Sequence, residues 1–196
     1  MRPIARVQKG DTIIELVLAF AIFSLSAITT VMILNKGVAI SQRSLEKTLV
    51  RQQVDSQSEI IRYIHDTKNP KWATIIANTI TAPKPLAGPC PTATDLATST
   101  AKGFYVVPDS TNADGFSVIM AGSSTYGQPA TYARIDYATK HAEGLWVQVA
   151  KAENLSSPGD VKYSINAYDF YIHGCWDSVG QDAPMTVGTI VRVYDN

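Results

Sequence analysis

Hydrophobic and polar positions divide the chain into an N-terminal apolar segment and a longer region of mixed pattern. No charged residue occurs from Leu16 to Leu34. As a helix this stretch would be about 28 Å long. The hydrocarbon core of a bilayer is about 30 Å thick. The pattern therefore predicts a helix that can span a membrane, with one acidic residue, Glu15, at its start.

The segment from Val38 to His65 has the spacing of an amphipathic helix. One predicted apolar stripe consists of Val38, Leu45, Leu49, Ile60 and Ile64. A second, weaker stripe consists of Val50, Val54 and Ile61. We expect this helix to pack on its own domain, and two stripes would let one side of the helix meet that domain while the other side meets a partner.

Two charge pairs are predicted on the same helix. Arg51 with Asp55 and Glu59 with Arg62 have the separations at which helical side chains meet. Asn69-Pro70 is expected to end the helix, because the residue before a proline is disfavoured in helical backbone.

A proline-rich connection, 67–102, separates this helix from a region with period two. A short helix or turn is expected over 72–80, and the rest is expected to be irregular. Strands are predicted over 104–107, 116–121 and 132–137, and around 145–149, 161–172 and 189–193. A change of phase suggests a bulge near Ala167. The fold class is therefore α+β, with one long N-terminal helix laid across a C-terminal antiparallel β-sheet.

Composition excludes several classes of function. The chain has 17 basic and 17 acidic residues, so no bulk charge favours nucleic acid as a partner. Two cysteines are too few for a structural zinc site, and the three histidines are scattered. No motif of a hydrolase, a metalloprotease or a phosphate-binding loop occurs. We predict no catalytic residues, no metal and no cofactor.

The N-terminal residues match a known processing signal. Lys9-Gly10-Asp11-Thr12-Ile13-Ile14-Glu15-Leu16 resembles the cleavage and methylation signature of type IV prepilins and pseudopilins, commonly Lys-Gly-Phe-Thr-Leu-Ile-Glu-Leu. A short basic leader precedes it and an apolar helix follows it. Asp11 departs from the family, which usually has Phe at that position. The resemblance covers about the first 35 residues.

The resemblance implies a processing and assembly route. A prepilin peptidase would cut after Gly10 and methylate the new N-terminus, Asp11. Glu15 would then meet the terminal amine of a neighbouring subunit and set the register between subunits. The partners implied are other pilin subunits, the peptidase and the assembly machinery in the membrane. The stem has no Gly or Pro between Asp11 and Asn35, which resembles minor pilins or pseudopilins more than a main fibre subunit.

The family pattern implies five segments and a location. The segments are a leader (1–10), an apolar membrane or filament-core helix (11–35), its amphipathic continuation (36–66), a connecting loop (67–102) and a β-sheet head (103–196). The protein would cross the membrane once with its head outside the cytoplasm, and then enter a pilus-like filament at the cell surface.

Other candidate sites in the head have simpler explanations. Cys90 and Cys175 are expected to form a disulfide if the head is exported, and two separate buried thiols are the alternative. Cys175 and His173 are not expected to form a catalytic pair, since we place them on opposite faces of a strand. Asp109–Gly115 carries oxygen ligands that suit calcium but fits a hairpin turn better. Asn154-Leu155-Ser156 fits the glycosylation triplet, and exposed aromatic residues are candidates for adhesion or DNA stacking.

The sequence is also compatible with three other functions. A single-pass anchor with a binding or sensory ectodomain would keep Met1. A secreted protein would be cut near Ser26, although no Ala-x-Ala site is present there. An exported enzyme is the third, and no constellation of residues supports it.

Overall fold

One long helix, α1 (Ile13–Asp66), begins the part of the chain described by this computed structural model, which covers residues 13–83, 88–152 and 166–195. The helix has 54 residues and continues through Gly37, so that glycine does not interrupt it. The chain divides into two compact units, one up to Gln42 and one from Arg43 onward. The second unit is an α+β domain.

The elements after α1 are mostly short strands. They are α2 (Lys71–Ile76), β1 (Thr79–Ile80), α3 (Ala93–Leu96), β2 (Phe104–Pro108), β3 (Phe116–Met120), β4 (Tyr126–Gly127), β5 (Arg134–Asp136), β6 (His141–Glu143), β7 (Leu145–Lys151), β8 (Asn166–Trp176) and β9 (Met185–Asp195).

The main sheet has the order β3-β2-β7-β8-β9, and neighbouring strands on this path are antiparallel. The short β1 adds to β7 in parallel. The predicted antiparallel sheet after residue 103 is therefore confirmed. Predicted strand 132–137 belongs to a separate small sheet of order β4-β6-β5.

The part of α1 in the second unit packs against this sheet, as the pattern predicted. Its buried positions follow a spacing of three and four residues: Glu46, Val50, Val54, Gln57, Ser58, Ile61 and Ile64. The stripe judged weaker is entirely buried, whereas the stripe judged stronger contributes Ile64 to the buried face and leaves Val38 exposed. Leu45 is 60% exposed. A stripe that includes polar Gln57 and Ser58 looks weak in a hydrophobicity pattern, although those side chains form hydrogen bonds in the structure.

One predicted charge pair forms and the other does not. Arg62 lies 3.1 Å from Glu59. Arg51 and Asp55 form no ion pair with each other or with any other residue in the described part of the chain. A basic residue placed N-terminal to its acidic partner is the less favourable order on a helix.

The ladder between β8 and β9 is unbroken from Asn166↔Asp195 to Trp176↔Met185. The predicted bulge near Ala167 is therefore wrong on this ladder. Val161, Tyr163 and Ile165, which suggested the change of phase, lie outside the described residues.

Gly174 sets how closely the helix and the sheet approach each other. A Cβ added there would lie 2.6 Å from Cγ1 of Val50, which is closer than side chains tolerate. The missing side chain thus lets α1 lie directly on β8. Around this contact the core contains Phe104, Val147, Phe170 and Ile172, all fully buried.

Candidate functional site: the apolar helix and its junction with the head

The apolar segment of α1 presents its hydrophobic side chains outward. Within the first unit Ile14 is 78% exposed, Phe23 is 71% exposed and Ile33 is 69% exposed. The helix is long and apolar enough to cross a membrane, judged by length and composition. An exposed apolar surface of this extent marks a site for a membrane or a partner.

Three hydroxyl groups within this segment, those of Ser24, Thr29 and Thr30, are bonded to the helix itself. Ser24 Oγ donates to the carbonyl oxygen of Phe20 at 2.8 Å, and Thr30 Oγ1 donates to that of Ser26 at 2.8 Å. Thr29 bonds in the same manner to Leu25 and Ser26. These polar groups are therefore compatible with an apolar surrounding, because their donors already have partners.

Glu15 lies in the first turn of α1 and is exposed. A carboxylate in the first turn interacts favourably with the partial positive charge at the helix N-terminus. The next charged residue along the chain is Lys36. Gly10 and Asp11, the predicted processing site, lie outside the described residues, as does the leader 1–10.

Polar contacts attach α1 to the head where the helix enters the second unit, near Arg43 and Glu46. The buried carboxylate of Glu46 accepts hydrogen bonds from Trp176 Nε1 at 3.0 Å and from Ser178 Oγ at 2.6 Å. The guanidinium of Arg43 donates to the carbonyl oxygens of Val179 and Gly180. These bonds join the first turns of α1 within the second unit to the last residue of β8 and to the loop between β8 and β9.

A second polar connection lies deeper in the head. The side-chain amide of the fully buried Gln57 donates to the carbonyl oxygen of Val106 at 2.8 Å and accepts from the Val106 amide at 3.0 Å. β2 pairs with β7 only at Phe104↔Val147. Gln57 therefore supplies, from the helix, the hydrogen bonds that Val106 would otherwise make to a strand.

Cys90 and Cys175 are joined in a disulfide, with 5.5 Å between their Cα atoms. The bond attaches the connection before α3 to the end of β8, across 85 residues of sequence. Gln128 adds to the same attachment, because its side-chain amide donates to the carbonyl oxygen of Pro91 at 3.0 Å.

The disulfide, and not the direction of the side chains, removes Cys175 as a nucleophile beside His173. Residues two apart on a strand share a face, so the expectation that these two face opposite sides was wrong. His173 packs on the ring of Trp146, with ring centroids 5.4 Å apart. Burial lowers its pKa to about 4.

The Asp109 loop is a closed hydrogen-bond network. The carboxylate accepts from Lys140 Nζ at 2.6 Å, from Ser117 Oγ at 2.6 Å and from Thr111 Oγ1 at 2.6 Å. The Lys140 contact, with the hydroxyl bonds, holds the pKa of Asp109 well below its usual range. These donors occupy the oxygens that a calcium ion would need, which favours the turn interpretation.

The other predicted sites are distributed over the head without converging. Asn154-Leu155-Ser156 lies outside the described residues. Trp146 and Trp176 are buried, while Tyr63 and Tyr194 are each 55% exposed. In the described ranges no three His, Cys, Asp or Glu residues are grouped so as to hold a metal ion.

Comparison of the chain with protein-family models, with curated proteins and with solved structures gives no match.

Sequence reasoning missed the two buried polar side chains that join helix to head, Glu46 and Gln57. Their spacing of 11 residues, three turns of helix, is the signal that would have placed them on one face with Val50 and Val54.

Proposed function

We propose that this chain is a structural subunit of a type IV pilus or a related pilin-like filament, of the minor pilin or pseudopilin kind. In this proposal a prepilin peptidase removes Met1–Gly10. The apolar helix then leaves the membrane and packs with the stems of other pilin subunits, and the head forms part of the filament surface. The chain has no enzymatic role.

One observation carries the proposal: a single carboxylate, Glu15, stands in the first turn of an exposed helix that is otherwise uncharged up to Leu34. A carboxylate in a lipid-like surrounding is costly unless it has a cationic partner. Cleavage after Gly10 would create a terminal amine at Asp11 and make Glu15 the fifth residue of the cleaved chain. The amine of a neighbouring subunit is then a suitable partner.

The head supports the same role through its attachment to the helix. The contacts of Glu46, Gln57 and Gly174 hold the part of α1 that belongs to the second unit on the sheet. A filament built on packed stems requires such an attachment.

Replacement of the stem carboxylate tests the proposal. Glu15→Ala should leave the protein in the membrane fraction and reduce its amount in sheared filaments at least tenfold, because the partner of the terminal amine is lost. Ser24→Ala is the matched control in the same helix, since its hydroxyl bonds only to the Phe20 carbonyl in the described structure. Equal recovery of Glu15→Ala and wild type in filaments would refute the role of Glu15.

A second candidate function is a single-pass membrane anchor for a binding or sensory ectodomain. The length and apolar character of α1 favour this function equally well. It predicts that Met1 is retained and that substitution of Gly10 has no effect on the size of the chain.

A further inference from the structure

The head-bound part of α1 carries a ridge of charged residues at intervals of four: Arg43, Lys47, Arg51, Asp55 and Glu59. Successive members are displaced by about 40° around the helix, so the ridge turns gradually from the sheet side toward solvent. The sign changes once along it, from basic to acidic between Arg51 and Asp55.

The two ends of this ridge have partners within the molecule. Arg43 donates to the backbone of Val179 and Gly180, and Glu59 pairs with Arg62 at 3.1 Å. The three middle members are different. Lys47, Arg51 and Asp55 are exposed, and their side chains have no hydrogen-bond or ion-pair partner among the residues that the structure describes.

We propose that Lys47 of one copy contacts Asp55 of a second, parallel copy of this chain. The proposal rests on the filament function proposed above, in which the stems of all copies point the same way. Two parallel helices place Lys47 beside the partner's Asp55 when one is displaced by about 12 Å along the axis.

Charge complementarity and ridge geometry together select a second copy as the occupant. A displaced parallel contact uses the basic part of one copy and the acidic part of the next. It therefore leaves a free basic end and a free acidic end, so that further copies can add. A single exposed ion pair contributes little free energy, but the contact is repeated wherever two copies of this chain are neighbours.

A zero-length carbodiimide cross-linker tests the contact directly. Assembled filaments are prepared from a mixture of unlabelled and ¹⁵N-labelled full-length chains. We expect cross-linked peptides that join Lys47 to Asp55 with one labelled and one unlabelled half. Their yield should fall several-fold between 0.1 M and 1 M salt, because salt screens exposed charges. Assembled filaments in which Asp55 forms no mixed-label cross-link to Lys47 would overturn the proposal.

Charge exchange provides the genetic test. Lys47→Asp and Asp55→Lys should each lower recovery in filaments several-fold, and the double variant should regain most of it, because complementarity between copies is restored. Lys151→Glu, at an exposed lysine of β7, is the control and should have no effect. If Glu15→Ala abolishes incorporation while all three ridge variants incorporate normally, the ridge contact is refuted and the filament function stands.

Discussion

At the scale of single residues, the head depends on buried polar side chains whose partners come from distant parts of the sequence. Gln57 bonds to Val106 and Glu46 bonds to Trp176 and Ser178. His173 differs from both, because neither of its ring nitrogens has a hydrogen-bond partner among the described residues. It is surrounded by the rings of Trp146 and Tyr171 and by the backbone at Gly188.

The buried imidazole predicts a loss of stability in mild acid. Burial lowers the pKa of His173 from 6.5 to about 4, so the folded form prefers the neutral ring. Between these two pH values the unfolded chain binds a proton that the folded chain does not. The free energy of unfolding should therefore fall as the pH falls through this window, by up to about 3 kcal/mol from this residue alone.

Urea unfolding of the full chain in detergent at pH 7 and pH 4.5 measures this effect. His173→Gln should have a smaller loss of stability between the two pH values than wild type has. Identical pH dependence in the two proteins would show that the imidazole is not buried as described.

Gln57 predicts a large effect from a change that preserves size. Gln57→Leu would leave the amide and the carbonyl of Val106 without partners inside the core. We expect a loss of about 3 kcal/mol in the free energy of unfolding. Gln52→Leu, at an exposed position five residues earlier on the same helix, is the control and should change stability by less than about 0.5 kcal/mol. Equal effects of the two changes, measured by urea unfolding, would contradict the assigned role.

At the scale of elements, the sequence predicted the helix, the sheet and their packing, but not which helical face is buried. Apolar periodicity gave more weight to the stripe that begins with Val38 and Leu45. The buried face instead combines Val50, Val54 and Ile61 with polar Gln57 and Ser58. A hydrophobicity pattern cannot register a polar residue that is buried because its hydrogen bonds are satisfied.

Long-range pairing was also beyond the sequence. The residues 132–137 have the alternation of a strand, and β5 does form there, but only tertiary contacts place it in the small sheet with β4 and β6. The close approach of α1 to β8 at Gly174 likewise has no local signal, because one glycine in a strand indicates a bulge as readily as a contact.

Gly174 allows a test of the helix–sheet contact. Gly174→Ala should destabilise the head by about 1–3 kcal/mol, because the new methyl group would overlap Val50. Gly37→Ala is the matched control, since a Cβ there meets no atom within 4 Å and alanine favours the helix. Thermal unfolding of both variants decides the matter. An unchanged melting temperature in Gly174→Ala would mean that α1 does not lie on β8 at this point.

At the scale of the whole molecule, the chain combines an exposed apolar helix with an independently packed α+β head. The sequence identified the helix from its composition and the head from its change of period. The disulfide between Cys90 and Cys175 attaches the connection before α3 to the end of β8. Disulfides of this kind persist in oxidising compartments.

The proposed filament function depends on the chain being cut after Gly10, since only then does the terminal amine lie at Asp11, close to the level of Glu15 of a neighbouring copy. Mass spectrometry of the N-terminal peptide from filaments or membranes measures this directly. We expect a chain that begins at Asp11, with or without a methyl group on its amine. We also expect Gly10→Glu to block cleavage. A functional chain that begins at Met1 would contradict the filament function and would favour the single-pass anchor.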